Sequence, residues 1–187
     1  VKDDDNEDDN EPTYHFYFAS NGKKTVSTEK TIGNVKYTFD DRGVAQDSWV
    51  HNSDKGTWKY YGDEEEPKLH TGWFEAVPSK ELNSDDHENG TTHWYYANSK
   101  GEITIPTADG EVGVVKTIDG KSYLFNSDGE MVTGLRILTY DGSKITNISS
   151  EVDSADTVKN MNSDTMKLVY FESNGAAKTG TTTITLD

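Results

Sequence analysis

The sequence predicts an all-β protein in which tandem β-hairpin repeats form a β-solenoid-like, elongated array with almost no helix. Three observations carry this. Five aromatic-rich segments, YHFYFASNG, KYTFDDRG, WYYANSKG, SYLFNSDG and LVYFESNG, share one register. Each strand ends at Phe18, Phe39, Ala97, Phe125 or Phe171, and a glycine follows four residues later, at Gly22, Gly43, Gly101, Gly129 or Gly175. Helical periodicity is absent, with only Pro78–Leu82 and a turn or two within Ser150–Lys159, where Ser154 can cap, as short candidates.

The first element is not a strand. Residues Val1 to Pro12, VKDDDNEDDNEP, carry seven acidic residues and one lysine without apolar periodicity, and such a composition cannot offset the entropy of ordering. A disordered acidic linker is expected over residues 1–12, followed by a hairpin repeat domain over 13–187. Asp and Asn oxygens suit Ca²⁺, but the EF-hand spacing and its glycine are missing from this segment.

The repeats follow in order. Between strand and glycine stand Ala, Ser, Asn, Asp, Glu, Lys and Arg, which form turns, and the glycine supplies a residue at positive φ. A sixth, divergent repeat runs from Trp58 to Trp73 around Gly62, lengthened by DEEEPKLH. Residues two apart on a strand share a face, so Phe16 and Phe18, Tyr37 and Phe39, Tyr95 and Ala97, Tyr123 and Phe125, and Val169 and Phe171 form one face, the expected continuous core. The opposite face, with Tyr17, Thr38, Tyr96, Leu124 and Tyr170, is left for a ligand. Six residues past the turn glycine lie Trp49, Leu135 and Thr181, and Thr71-Gly72-Trp73 fits the same slot. The insertions PSKELNSDDHENGTT and Ser143 to Asp164 are expected as loops.

Composition limits the function classes. The hydrophobic share is 32%, and even with the 16 glycines it stays below the roughly 45–50% of ordinary globular domains, so a large aliphatic core is excluded. Ten Tyr, six Phe and four Trp must carry much of the burial. A net charge of −16 lacks the basic footprint that nucleic acid or an anionic membrane surface needs. With no cysteine, there is neither a disulfide framework nor a thiolate nucleophile. No apolar run approaches the ~20 residues of a membrane span.

The stretch KTIDGKSYLFNSDGEMVTGL, Lys116 to Leu135, resembles the cell-wall-binding repeats of Gram-positive surface proteins, a family that includes choline-binding repeats, glucan-binding repeats of glucansucrases and the C-terminal repeats of clostridial toxins. TGW followed by HWYYANSKGEI, from Thr71 to Ile103, resembles it too, and KYTFDDRGVAQDSW and LVYFESNGAAKTG do so more loosely. The resemblance implies hairpin solenoids with ligands seated between neighbouring repeats on two or three aromatic rings. Choline would be held by cation–π contacts, and glucans by stacking of sugar faces on rings. By position, the Trp after Gly corresponds to Trp73 and less cleanly to Trp49, and the first aromatic of the WYY element to Trp94. Lys36 and Ser122 stand at the WYY position elsewhere, and Leu135 and Thr181 at the Trp-after-Gly position, so a full cage is hard to assemble after Gly101.

The expected ligand-binding residues are therefore Trp49, Trp58, Tyr60, Tyr61, Trp73, Trp94 and Tyr96. No catalytic residue, metal ligand or cofactor is expected. His15, His51, His70, His87 and His93 show no zinc-helix spacing and read as solvated or hydrogen-bonded side chains, and the carboxylate clusters as solvated faces. Two functions remain open. One is a non-catalytic module of a larger secreted protein that binds an extracellular polysaccharide or cell-wall glycopolymer, an α-glucan or a choline-bearing polymer. The other is a spacer or protein-adhesion segment with degenerate pockets.

Overall fold

The computed structural model describes residues 13–187, so the acidic segment 1–12 lies outside the described residues. The described residues are mostly β, in 11 short strands with two helices of one to two turns. The five expected turns form where the register placed them. Antiparallel bridges close Phe18 on Lys24, Phe39 on Ala45, Ala97 on Ile103, Phe125 on Met131, and Phe171 on Ala177. Each turn glycine donates its amide to the carbonyl three residues earlier, as Gly101 does to Asn98 at 2.8 Å, and each sits near φ +77° to +80°. Only glycine adopts that backbone without strain. The turn's Asp or Asn completes it: Asn126 Oδ1 accepts the Asp128 and Glu130 amides at 3.0 and 2.9 Å.

The divergent repeat obeys the same scheme. Amides one residue beyond the bridge partner bond back to the strand at Thr25 to Tyr17, Gln46 to Thr38, His70 to Tyr60, Thr104 to Tyr96, Val132 to Leu124 and Lys178 to Tyr170. His70 to Tyr60 belongs to the sixth repeat, which makes Tyr61 its strand-end residue, the counterpart of Phe39 and Phe125. The slot before Trp49, Trp73 and Leu135 is left-handed, with φ +58° at Ser48, +72° at Gly72 and +84° at Gly134, which explains the glycine of the TG dipeptides.

The chain divides into two compact units. The first runs through Val50 and includes Lys59–His70. Here β1 (Thr28–Ile32) and β2 (Val35–Phe39) pair antiparallel around Gly33-Asn34, both at positive φ as a two-residue hairpin turn requires. The strands β3 (Trp49–Asn52) and β4 (Thr57–Tyr60) form a second hairpin, of which only Trp49–Val50 and Lys59–Tyr60 belong to this unit. Phe39 and Tyr61 are buried in this unit, but Phe16 and Phe18 are exposed, Phe18 at 59%, so the expected continuous core does not include the first repeat.

The second unit comprises His51–Trp58 and Thr71–Asp187. The strands β5 (Gly72–Ala76) and β6 (His93–Ala97) pair with Trp73 opposite Tyr96, Phe74 opposite Tyr95 and Glu75 opposite Trp94. Phe74 and Tyr95 stack on the core side at 5.6 Å. Between them, helix α1 (Ser84–Asn89) is capped by Asn83 and closed by Gly90 at φ +66°, where a loop was expected. Four strands follow, β7 (Gly113–Ile118), β8 (Lys121–Asn126), β9 (Gly134–Asp141) and β10 (Lys144–Ile148), then helix α2 (Ala155–Lys159), capped by Ser154, and β11 (Met166–Phe171).

These strands build a five-stranded sheet in the order β11-β9-β10-β7-β8, so the segment Ser143 to Asp164 is not a plain loop. The hairpin between β9 and β10 turns at Asp141-Gly142, a strong turn signal flanked by the alternating RILTY and KITNI. It buries Leu138 and Ile145 against Leu124 and Phe171. Leu124, assigned to the ligand face, is thus core, because β10 gives its second face a cover. Val158 and Met161 pack against Leu135, Ile137 and Val152.

Candidate functional site

Within the second unit, aromatic side chains from successive repeats converge on a cavity of about 510 Å³ lined by Trp73, Trp94, Tyr123, Met131, Ser173 and Asn174. The strand pairing puts Trp73, Glu75, Trp94 and Tyr96 on one face of the β5–β6 hairpin, opposite the buried Phe74 and Tyr95. Trp73 is its centre. Its ring lies 4.8 Å from Tyr123 at 62°, 5.1 Å from Tyr96 at 67°, and 5.8 Å from Phe125 at 30°. The near-perpendicular rings present π-faces in different directions, an arrangement that surrounds a cation rather than sandwiching a flat molecule.

Trp94 supplies the open wall and is 44% exposed. Its backbone carbonyl accepts the Met131 amide at 2.8 Å, and this bond brings the turn after β8 beside β6. Tyr123 and Met131 therefore enter the site from a repeat in which a cage was not expected. On the same face, Lys116 Nζ sits 5.8 Å from the Tyr96 ring centroid. Gly175 approaches Met131 so closely that a Cβ there would overlap the Met131 side chain, so the wall of the cavity depends on that glycine.

The remaining expected residues fall elsewhere. In the first unit Trp49, Tyr60 and His70 form a ring series, with centroids 4.9 Å apart for Trp49 and Tyr60 and 5.1 Å for Tyr60 and His70. Burial, and secondarily the charge of Asp63, pushes the Tyr60 hydroxyl pKa up. Burial, and secondarily Lys68, pulls the His70 pKa down, which favours a neutral imidazole beside the Tyr60 ring.

Trp58 and Tyr61 do not serve as open platforms. Trp58 is 8% exposed and stacked under His51 at 4.3 Å and 6°, and Tyr61 is 3% exposed with its hydroxyl accepting from Thr38 Oγ1 at 3.2 Å. Both fill the interior because the aliphatic side chains that would otherwise do so are scarce in this sequence.

The histidines are engaged. His15 Nε2 lies 3.0 Å from the Glu64 carbonyl, His87 Nδ1 2.8 Å from the Pro78 carbonyl, and His93 Nε2 2.9 Å from Asp86 Oδ2.

Solved structures share this architecture. CbpJ from Streptococcus pneumoniae TIGR4 matches with a TM-score of 0.52 at 18% identity, over 88% of this chain and 39% of its own. Choline binding protein F from Streptococcus pneumoniae matches at 0.52 and 18%, over 89% of this chain and 39% of its own. The same protein in the presence of a peptidoglycan analogue, a tetrasaccharide-pentapeptide, matches at 0.53 and 18%, over 91% and 42%. The chain spans about two fifths of the length of these proteins. No family model and no curated protein matches the sequence. What is shared at such identities is the backbone plan of glycine-closed aromatic hairpins, and on that plan the chain has the fold of the pneumococcal choline-binding proteins.

Proposed function

We propose that this chain is a non-catalytic, surface-directed binding module that holds choline groups of a cell-wall glycopolymer in the Trp73 cavity. The observation that carries this reading is the cavity itself, with its rings from three strands and Met131. A trimethylammonium group has no N–H to donate, so rings that offer quadrupole attraction and dispersion are its natural partners. The Glu75 carboxylate on the same face and the net charge of −16 both favour a cation over an anion. Choline binding protein F, which shares the fold, was solved in the presence of a peptidoglycan analogue, and its name and that analogue support the same reading.

The later repeats act as a support for this site rather than as further sites. Leu135, in the slot that holds Trp73 two repeats earlier, is buried core, and Ser122 stands where Trp94 does.

Tryptophan fluorescence titrated with choline, ethanolamine and maltooligosaccharides tests the proposal. Saturable quenching by choline, weaker quenching by ethanolamine and none by the sugars is expected. Saturation by maltooligosaccharides with no response to choline would replace it with a glucan-binding module.

A further inference from the structure

We propose that Asp86, His93 and Glu130 form a binding site for a divalent transition metal of the Zn²⁺ class. The three residues come from three elements of the second unit: the first turn of α1, the start of β6, and the turn that follows β8. One ligand atom from each lies within 4.8 Å of the other two. His93 Nε2 is 2.9 Å from Asp86 Oδ2 and 3.6 Å from Glu130 Oε1. Zinc bonded tetrahedrally at roughly 2.0–2.1 Å sets its ligand atoms about 3.3 Å apart, and both histidine–carboxylate distances lie within a few tenths of an ångström of that separation.

The two oxygens of Glu130 have separate roles. Its Oε2 accepts from Asn126 Nδ2 at 2.8 Å, as Glu102 Oε2 accepts from Asn98 Nδ2 at 2.9 Å in the equivalent turn of the preceding repeat. That bond is ordinary turn chemistry. Oε1 is the addition: it is carried by a side chain only 8% exposed as a residue and faces His93.

The carboxylates are also held from outside. Asn83 Nδ2 donates to Asp86 Oδ2 at 2.8 Å and to Glu130 Oε1 at 3.0 Å, while Asn83 Oδ1 accepts the Asp86 amide as the helix cap. Each carboxylate oxygen retains a lone pair for an ion, and fixing ligands through such outer bonds is how metal sites are preorganised. His93 and Glu130 line a polar cleft of about 550 Å³ that also includes Asn126, Thr133 and Arg136, which leaves room for water as a fourth ligand.

One imidazole with two carboxylates suits zinc and its neighbours; Ca²⁺ and Mg²⁺ favour all-oxygen sets of higher coordination number. Binding needs His93 Nε2 as a lone-pair donor. With the metal on Nε2 the ring's remaining proton sits on Nδ1, and no oxidation state changes. The ion would tie the α1 insertion to the repeat at the residues that adjoin Trp94 and Met131.

The test is calorimetric titration of the full chain with Zn²⁺ in buffers of differing ionisation enthalpy, with tetrahedral Co²⁺ absorption as a second readout. We expect one saturable site. Affinity should fall about tenfold or more in His93→Gln, Asp86→Asn and Glu130→Gln. Glu102→Gln makes the same change in the equivalent turn one repeat earlier and should bind as the parent does. Asp86 and His93 are only half-buried, so their variants remain informative if Glu130→Gln fails to fold, and circular dichroism checks each. Zinc binding unchanged across the three variants, or no saturable binding, overturns the proposal and leaves the trio as a plain histidine–carboxylate clamp.

Discussion

Trp94→Ala separates binding from folding more cleanly than any other substitution in the aromatic site. What Trp94 gives the fold is its backbone carbonyl, which accepts the Met131 amide at 2.8 Å and survives truncation of the side chain. The indole is 44% exposed, so its removal costs less than the roughly 3–5 kcal/mol of a fully buried aromatic, on the order of 1 kcal/mol. For a ligand the loss is larger in relative terms. One ring face contributes about 0.5–1 kcal/mol to a cation at an exposed site and about 2 kcal/mol when desolvated. The half-open wall of the cavity lies between these limits, at about 1–2 kcal/mol, or roughly 5–30-fold in Kd. Calorimetric titration with choline measures the Kd, and urea denaturation of the same variant measures stability. An unchanged Kd in a folded Trp94→Ala protein would refute the assignment of this cavity.

Tyr61→Ala should cost roughly 3–5 kcal/mol in denaturant unfolding, because it empties a buried strand-end position, and should alter choline Kd no more than partial unfolding explains. Gly129→Ala places a Cβ 2.8 Å from Ile103 Cδ1 and 3.0 Å from Ile105 Cγ2 at φ +80°, whereas Gly22→Ala meets nothing within 4 Å, so chemical denaturation should show the former costing about 1–3 kcal/mol and the latter only the backbone strain of about 1 kcal/mol. Lys116→Gln removes the ammonium near the Tyr96 ring and should tighten choline binding by about twofold, measured by the same titration. The His70 pKa is lowered on folding, so the unfolded chain binds the more protons: stability is fully present above the ordinary value of 6.5 and is lost as pH falls through the folded value. Thermal melts from pH 7.5 to 5 should show this loss in the parent and a shallower slope in His70→Gln.

The turns were legible because local chemistry sets them. Glycine at positive φ and an Asx side chain within the turn act inside a single hairpin, so Phe39, Ala97, Phe125 and Phe171 stand at strand ends as the register predicts. Tyr61 was equally legible in principle, since the reasoning that makes Phe39 core applies to the strand end of the divergent repeat; the closeness of Gly62 hid it. Asp141-Gly142 between alternating strands was a second readable signal, and it would have revealed the cover on Leu124. Helix α1 had its cap at Asn83 and its stop at Gly90 in plain view, with a single turn between them too short for periodicity. The membership of the aromatic site was not legible. Tyr123 and Met131 reach Trp73 and Trp94 through a backbone bond between residues 37 positions apart, and no local pattern gives the spacing of repeats separated by insertions of unequal length.

That backbone bond also explains how such a chain tolerates so much variation. Amides at Ala45, Leu69, Ile103, Met131 and Ala177 donate to carbonyls at His15, Lys36, Trp58, Trp94 and Ser122, at 2.8 to 3.0 Å in every case. The acceptor is the main chain, so the seam between hairpins forms whether the side chain above it is imidazole, ammonium, indole or hydroxyl. Beyond the first repeat, strand-end positions behave in the opposite way: Phe39, Tyr61, Ala97, Phe125 and Phe171 are all buried. Stability therefore depends on the strand-end slot, while the acceptor slot varies, from the buried Trp58 to the exposed Trp94. Where it holds Trp94, with Trp73 across from Tyr96 on the paired strand, the seam becomes a cavity for a cation; where it holds Ser122, it is only a joint.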